Sequence, residues 1–142
     1  MALLKEISSS VEDTYNIAKD FAKNLKINDV VSFFGNLGAG KTTFIKGLLE
    51  GLNYTSSEVN SPTFTYLNIY DTKINIFHFD VYRLKNSNNF LDMGFDEYFS
   101  MDGICLIEWA DIIEDILPKK RYNITINHIS DKKREISIEK NI

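Results

Sequence analysis

A three-layer α/β sandwich built on a mixed sheet with antiparallel additions is the fold that three features of the sequence predict. A short apolar run, Val30-Val31-Ser32-Phe33-Phe34, leads directly into the glycine-rich stretch GNLGAGKTT at 35–43. Apolar residues at helical spacing follow it, Phe44, Ile45, Leu48 and Leu49, and the pattern stops at Gly51. Two more apolar runs end in carboxylates, Asp80 and Glu108, the position at which open α/β sheets place ligand chemistry. Strand, glycine-rich turn and helix in that order, with G-x-x-x-x-G-K-[ST] spacing, make this the P-loop NTPase variety of the fold.

The elements follow in chain order. Leu3, Leu4 and Ile7 predict a short first strand, and Ser8-Ser9-Ser10 offers N-caps for a helix reaching about Leu25, with Val11, Ile17, Ala18, Phe21, Ala22 and Leu25 as its apolar face. The strand at 30–34 and the helix ending at Gly51 come next. Asn53 to Ser61 is polar and turn-rich, and Pro62 fixes a bend beside Thr63, so this segment reads as a loop near the site. Thr65 to Tyr70 and Lys73 to Phe79 are β-like, and the Asp71-Thr72 link between them is short enough to require an antiparallel hairpin. Asn88 to Ser100 reads as a helix broken at Gly94. Gly103 to Trp109 is a nearly continuous apolar strand, as a central strand buried on both faces should be. A short helix around Ile112 to Leu117 stops at Pro118, and Tyr122 to Ile129 and Glu135 to Ile138 alternate as strands joined by a polar turn. With no linker and no internal repeat, one domain over residues 1–142 is expected.

Gly35, Gly40, Lys41 and Thr42 occupy the fixed positions of the glycine-rich motif. Small residues at Gly38, Ala39 and Gly40 let successive backbone N–H groups curl around an anion. In such a loop Lys41 reaches the β- and γ-phosphates, the Thr42 hydroxyl takes a Mg²⁺ position, and Thr43 donates to the α-phosphate. The following helix adds its positive N-terminal end.

Nucleotide hydrolysis also needs a metal-side carboxylate and a group that orients water. Glu108 ends the more continuous apolar run and is assigned the Mg²⁺ side, directly or through water; Asp80 is assigned the switch or water-orienting role. His78 shares a strand face with Asp80 and is read as its support. Thr63 is either a switch residue approaching the γ-phosphate or an ordinary turn threonine. Trp109, the one tryptophan, is either a core ring or a site-edge ring that meets a partner.

Composition narrows the classes. The net charge of −4, from 16 basic and 20 acidic side chains, advertises no surface for polyanions, although Lys119-Lys120-Arg121 forms a local basic patch. Three arginines, Arg83, Arg121 and Arg134, are few for a small-molecule kinase, whose closing lid clamps phosphates with several. No Asn-Lys-x-Asp run is present, which favours adenine over guanine. Cys105 lies in the run Ile104-Cys105-Leu106-Ile107 and reads as a small buried hydrophobe. His78 and His128 stand apart with no Cys cluster, against a zinc site. No leader or membrane-length apolar run is seen, and a cytoplasmic protein is expected.

These residues together resemble the TsaE (formerly YjeE) ATPases of bacterial tRNA threonylcarbamoyladenosine synthesis. The resemblance spans nearly the whole chain: GNLGAGKTTF, SPTFTYLNIY, FHFDVYRL, LDMGFDEYF and ICLIEW occur in order. The departure is Ala110-Asp111 after Trp109, where a proline is common in the family. The resemblance implies an ATP- and Mg²⁺-dependent ATPase that binds TsaB and TsaD and supports adenosine modification beside the anticodon, tRNA being met chiefly through those partners. It also places functional weight on Thr42, Thr43, Asp80, Glu108 and Trp109, and adenine contacts near Thr14 and Arg134. A nucleotide-dependent binding module without its own turnover, or a small-molecule kinase, remain the alternatives.

Overall fold

The structure is a computed structural model that describes residues 2–34, 40–54, 66–71 and 73–141. Gly35, Gly38, Ala39 and Thr63, named above as candidate residues, lie outside the described residues.

Seven strands form one mixed sheet: β1 (Ala2–Ser8), β2 (Val30–Phe33), β3 (Leu67–Tyr70), β4 (Asn75–Asp80), β5 (Gly103–Glu108), β6 (Arg121–His128) and β7 (Arg134–Asn141), in the order β1-β7-β6-β2-β5-β4-β3. The four inner strands β6-β2-β5-β4 are mutually parallel, whereas β3, β7 and β1 add antiparallel at the flanks. The predicted hairpin is the β3–β4 pair, and β5 lies directly beside β2 with every residue buried, as its continuous apolar run required.

Helices α1 (Val11–Ala22) and α2 (Lys41–Gly51) pack side by side on one face of the sheet, over Val31, Phe33, Leu106 and Ile124. Their contact is close because of glycine: a Cβ at Gly47 would stand 2.3 Å from the Tyr15 carbonyl oxygen, and one at Gly51 would stand 2.6 Å from both Ala22 Cβ and the Lys19 carbonyl oxygen. The other face is covered by α3 (Ser87–Asp92) and by 3₁₀ segments at Phe95–Ser100 and Ala110–Ile116, packed on Phe79, Cys105 and Ile107. Gly94 breaks the first of these runs as expected, taking φ +73°, a left-handed conformation that costs glycine nothing.

Three expectations are corrected. Helix α1 ends at Ala22 rather than near Leu25, and Val11, assigned to its apolar face, is 72% exposed. Ser10 is the N-cap, accepting from Asp13 N, so Val11 is the first helical residue, on the wall of an open cleft and not over the core. The strand expected over Lys73 to Phe79 runs instead over Asn75–Asp80, which makes Asp80 its last residue. No described helix is long and apolar enough to cross a membrane.

Candidate functional site

Helix α2 begins with no side-chain cap and no acidic residue in its first turn, and its first residue is Lys41. That is the reverse of what the helix dipole favours, since the N-terminal end is already positive. The uncapped N–H groups and the ammonium together form an anion-receiving end. Gly40, which precedes it, is buried against β6: a Cβ there would meet Ile126 Cγ2 at 3.0 Å. Thr42 is exposed and Thr43 half-buried in the same turn.

The strands bring the carboxylates to this end. Parallel register aligns Phe33 with Glu108 and Glu108 with Asp80, so both acids terminate neighbouring strands beside the exit of β2. Glu108 is 1% exposed, and each of its oxygens has a cationic or imidazole neighbour. Lys41 Nζ stands 2.7 Å from Oε1, held by charge and proximity without a well-directed hydrogen bond. His78 Nε2 stands 2.5 Å from Oε2. Burial alone would raise the Glu108 carboxyl, but the hydrogen bond and charge of His78, followed by the close Lys41 ammonium, outweigh it and hold the group below its usual range. Asp80 is also buried; its Oδ1 accepts from Tyr82 N at 3.0 Å, and its own N–H donates to Tyr66 O.

His78 therefore does not support Asp80. Alternation does put the two on one face, but cross-strand register pairs His78 with Leu106, so its side chain reaches diagonally to Glu108 two residues on. Its other nitrogen, Nδ1, lies 3.2 Å from the Tyr70 hydroxyl. The shared strand face carried part of this signal; the β4–β5 register, unreadable from one sequence, carried the rest.

A cleft of about 470 Å³ opens on the other side of the α2 N-terminus, lined by residues that include Thr14, Gly40, Thr43 and Arg134. Thr14 and Arg134, distant in sequence, thus share a wall with the glycine-rich motif. Thr14 is buried, its hydroxyl 2.7 Å from Ser8 Oγ, while Arg134 Nη1 donates to the carbonyls of Ser130 and Lys133 at 2.7 and 2.9 Å and ties the β6–β7 turn. Ser9 and Ser10, read from the sequence only as N-caps, Val11, read as part of the apolar face, and Asp131 and Lys132, not singled out there, complete the lining. Their contribution depends on β7 returning beside β1, a long-range pairing without local signature.

Trp109 is neither a core ring nor a free one. It packs partly on the second core cluster and pairs with exposed Tyr82, ring centroids 4.6 Å apart. Its φ of +61° is left-handed, a strained state for a large residue, and it turns the chain sharply from β5 into the 3₁₀ segment at 110–116. Cys105 is buried, and burial pushes its thiol up to about 12.

The family model for "Threonylcarbamoyl adenosine biosynthesis protein TsaE" matches residues 8–136. A Bacillus subtilis protein named tRNA threonylcarbamoyladenosine biosynthesis protein TsaE is 46% identical over 138 residues, 96% of this chain and 85% of the relative. A Rickettsia prowazekii protein of the same name is 39% identical, covering 93% of this chain and 92% of the relative. The crystal structure of Bacillus subtilis YdiB superimposes with a TM-score of 0.79 at 40% identity, over all of this chain and 88% of that one.

Proposed function

Since the chain belongs to the TsaE family, we propose that it is a Mg²⁺-dependent, ATP-binding and ATP-hydrolysing accessory subunit that takes part in threonylcarbamoyl modification of a tRNA adenosine. The observation that carries the reading is Lys41: a cation at the positive end of an uncapped helix, its charge balanced by the buried Glu108 carboxylate 2.7 Å away. Such an ammonium is placed to exchange one anion for another, and the glycine-rich motif supplies the polyanion it suits, a nucleotide triphosphate in a P-loop NTPase fold. The cleft between α1 and the β6–β7 turn offers room for the base, with Thr14 and Arg134 on its walls and Thr43 between base and phosphates.

The described residues contain no group of three His, Cys, Asp or Glu side chains that could hold a metal by themselves, so the fit is to a cation shared with phosphate oxygens. Glu108 Oε1, buried and without a directed hydrogen bond, and the exposed Thr42 hydroxyl are the donors suited to it. Mg²⁺ bound there supplies charge neutralisation of the phosphates. Asp80 holds a water in line, Lys41 binds the β- and γ-phosphates, and the buried walls around Glu108 keep other water away. Trp109 and Tyr82 present an aromatic edge for the partner proteins TsaB and TsaD, through which tRNA is met, and the setting is the cytoplasm.

Lys41→Ala tests the reading. With the partners present, ATP affinity and hydrolysis should both fall while the fold survives, because a desolvated cation is lost where negative charge accumulates. Equal ATPase rates for variant and parent would refute the assignment. Hydrolysis that stays absent even with TsaB and TsaD, with ATP binding retained, would leave a nucleotide-dependent binding module.

A further inference from the structure

We propose that His78 is a positioning residue: it keeps the Glu108 carboxylate in place when Lys41 leaves it for the nucleotide. This rests on the nucleotide reading above and adds a residue that the reading does not need.

The two partners of Glu108 differ in how firmly they are held. The imidazole is 2% exposed, and both of its nitrogens are engaged, Nε2 with Glu108 Oε2 at 2.5 Å and Nδ1 with the Tyr70 hydroxyl at 3.2 Å. Its ring stacks on that of Tyr70 at 5.9 Å, and Tyr70 in turn lies against Tyr54 at 4.9 Å. Lys41 has a four-carbon stem, retains 21% exposure and stands at the start of a helix. One partner is fixed by packing, and the other is free to swing.

A phosphate that draws the ammonium away takes the counter-charge from Oε1 inside a closed site until the cation that accompanies the nucleotide is seated there. With His78 in place, Oε2 remains bonded and the carboxylate keeps its orientation. Without an N–H at that position, Lys41 is the remaining partner among the described residues, so the Lys41–Glu108 pair competes harder against phosphate. His78 thereby sets how readily Lys41 is released, and the Tyr70 hydroxyl sets how firmly His78 is aimed.

The test uses the full chain with His78→Phe, which keeps the ring and removes the N–H, and His78→Gln, which restores an N–H at similar reach. ATP dissociation constants by calorimetry and turnover with partners are read per folded molecule. The expected result is ATP binding weakened about tenfold or more in His78→Phe, substantial recovery in His78→Gln, and an intermediate loss in Tyr70→Phe. Where His78→Phe does not fold, nitrogen-15 spectra of the parent decide, because only two histidines are present and His128 is exposed. His78 should carry a proton on Nε2 that shifts strongly in Glu108→Gln. Unchanged ATP affinity in His78→Phe, or an Nε2 that bears no proton, overturns the proposal while leaving ATP binding intact. A parent chain with no Lys41-dependent ATP binding overturns both readings.

Discussion

The two carboxylates at the strand ends are chemically alike but differently housed. Glu108 is held between a cation and an imidazole, whereas Asp80 accepts from the backbone N–H of Tyr82, two residues on. If Glu108 serves the metal side, Glu108→Gln should raise the Mg²⁺ concentration needed for half-maximal ATPase activity, while Asp80→Ala should lower turnover with ATP still bound. A Mg²⁺ titration shifted only by the Asp80 change would reverse the roles. Cys105 gives a pH test of the core. Its thiol is raised by burial from 9.0 to about 12, so the folded state favours the protonated form. The associated stability is complete below pH 9 and is lost as pH rises from there towards 12. Native protein should resist a thiol reagent at pH 8 and react only on unfolding; rapid reaction would show that the residue is accessible. Single residues of this kind were legible in the sequence because strand-end acids and a cysteine inside an apolar run carry local signals. The partner of His78 was not, since it depends on register between two strands almost thirty residues apart.

At the level of elements, α1 carries Thr14 and α2 carries Lys41 and Thr43, so the distance between these helices fixes the width of the cleft they share. Gly47 and Gly51 set that distance by allowing backbone contact with Tyr15 and Lys19. Gly47→Ala introduces a methyl where the Tyr15 carbonyl oxygen already lies 2.3 Å away, and overpacking of this kind costs about 1–3 kcal/mol. A drop of several degrees in the thermal midpoint is expected, with weakened nucleotide binding as the helices part. An unchanged midpoint would mean that the pair adjusts without strain. Helix and strand identities were readable from periodicity, and the Gly94 break from composition. The close helix crossing was not, because glycines at 47 and 51 lower helix propensity and reveal their use only once the neighbouring helix is in place. The end of α1 was misread because Leu25 is buried just past the last helical turn, where it extends the apolar pattern without extending the helix.

On the scale of the whole molecule, the aromatic edge at Tyr82 and Trp109 is the surface that the proposed function gives to partners, and its contribution should be separable from folding. Trp109→Ala removes a ring only partly embedded in the core, so the stability cost should be about 1–2 kcal/mol, below the 3–5 kcal/mol of a fully buried ring. Binding to TsaB and TsaD should weaken by 2 kcal/mol or more, as truncated aromatic anchors do. A thermal scan, an ATP titration and a partner titration on one preparation check this; a large stability loss with unchanged partner affinity would make Trp109 a packing residue. The α/β class and the antiparallel additions were legible because continuous and alternating apolar runs differ along the chain, but strand order was not. Even the basic run at 119–121 changes meaning in three dimensions, since Arg121 donates to Asn123 and to the Pro118 carbonyl. Strand β1 pairs with β7, Leu4 opposite Ile138 and Ser8 opposite Arg134, so one wall of the cleft joins residues from nearly opposite ends of the sequence. During synthesis the glycine-rich motif and both strand-end acids leave the ribosome well before that wall can close. The cleft that the proposed function gives to the base has a complete wall only once the final strand has paired, so base recognition there is expected late in the maturation of each new molecule.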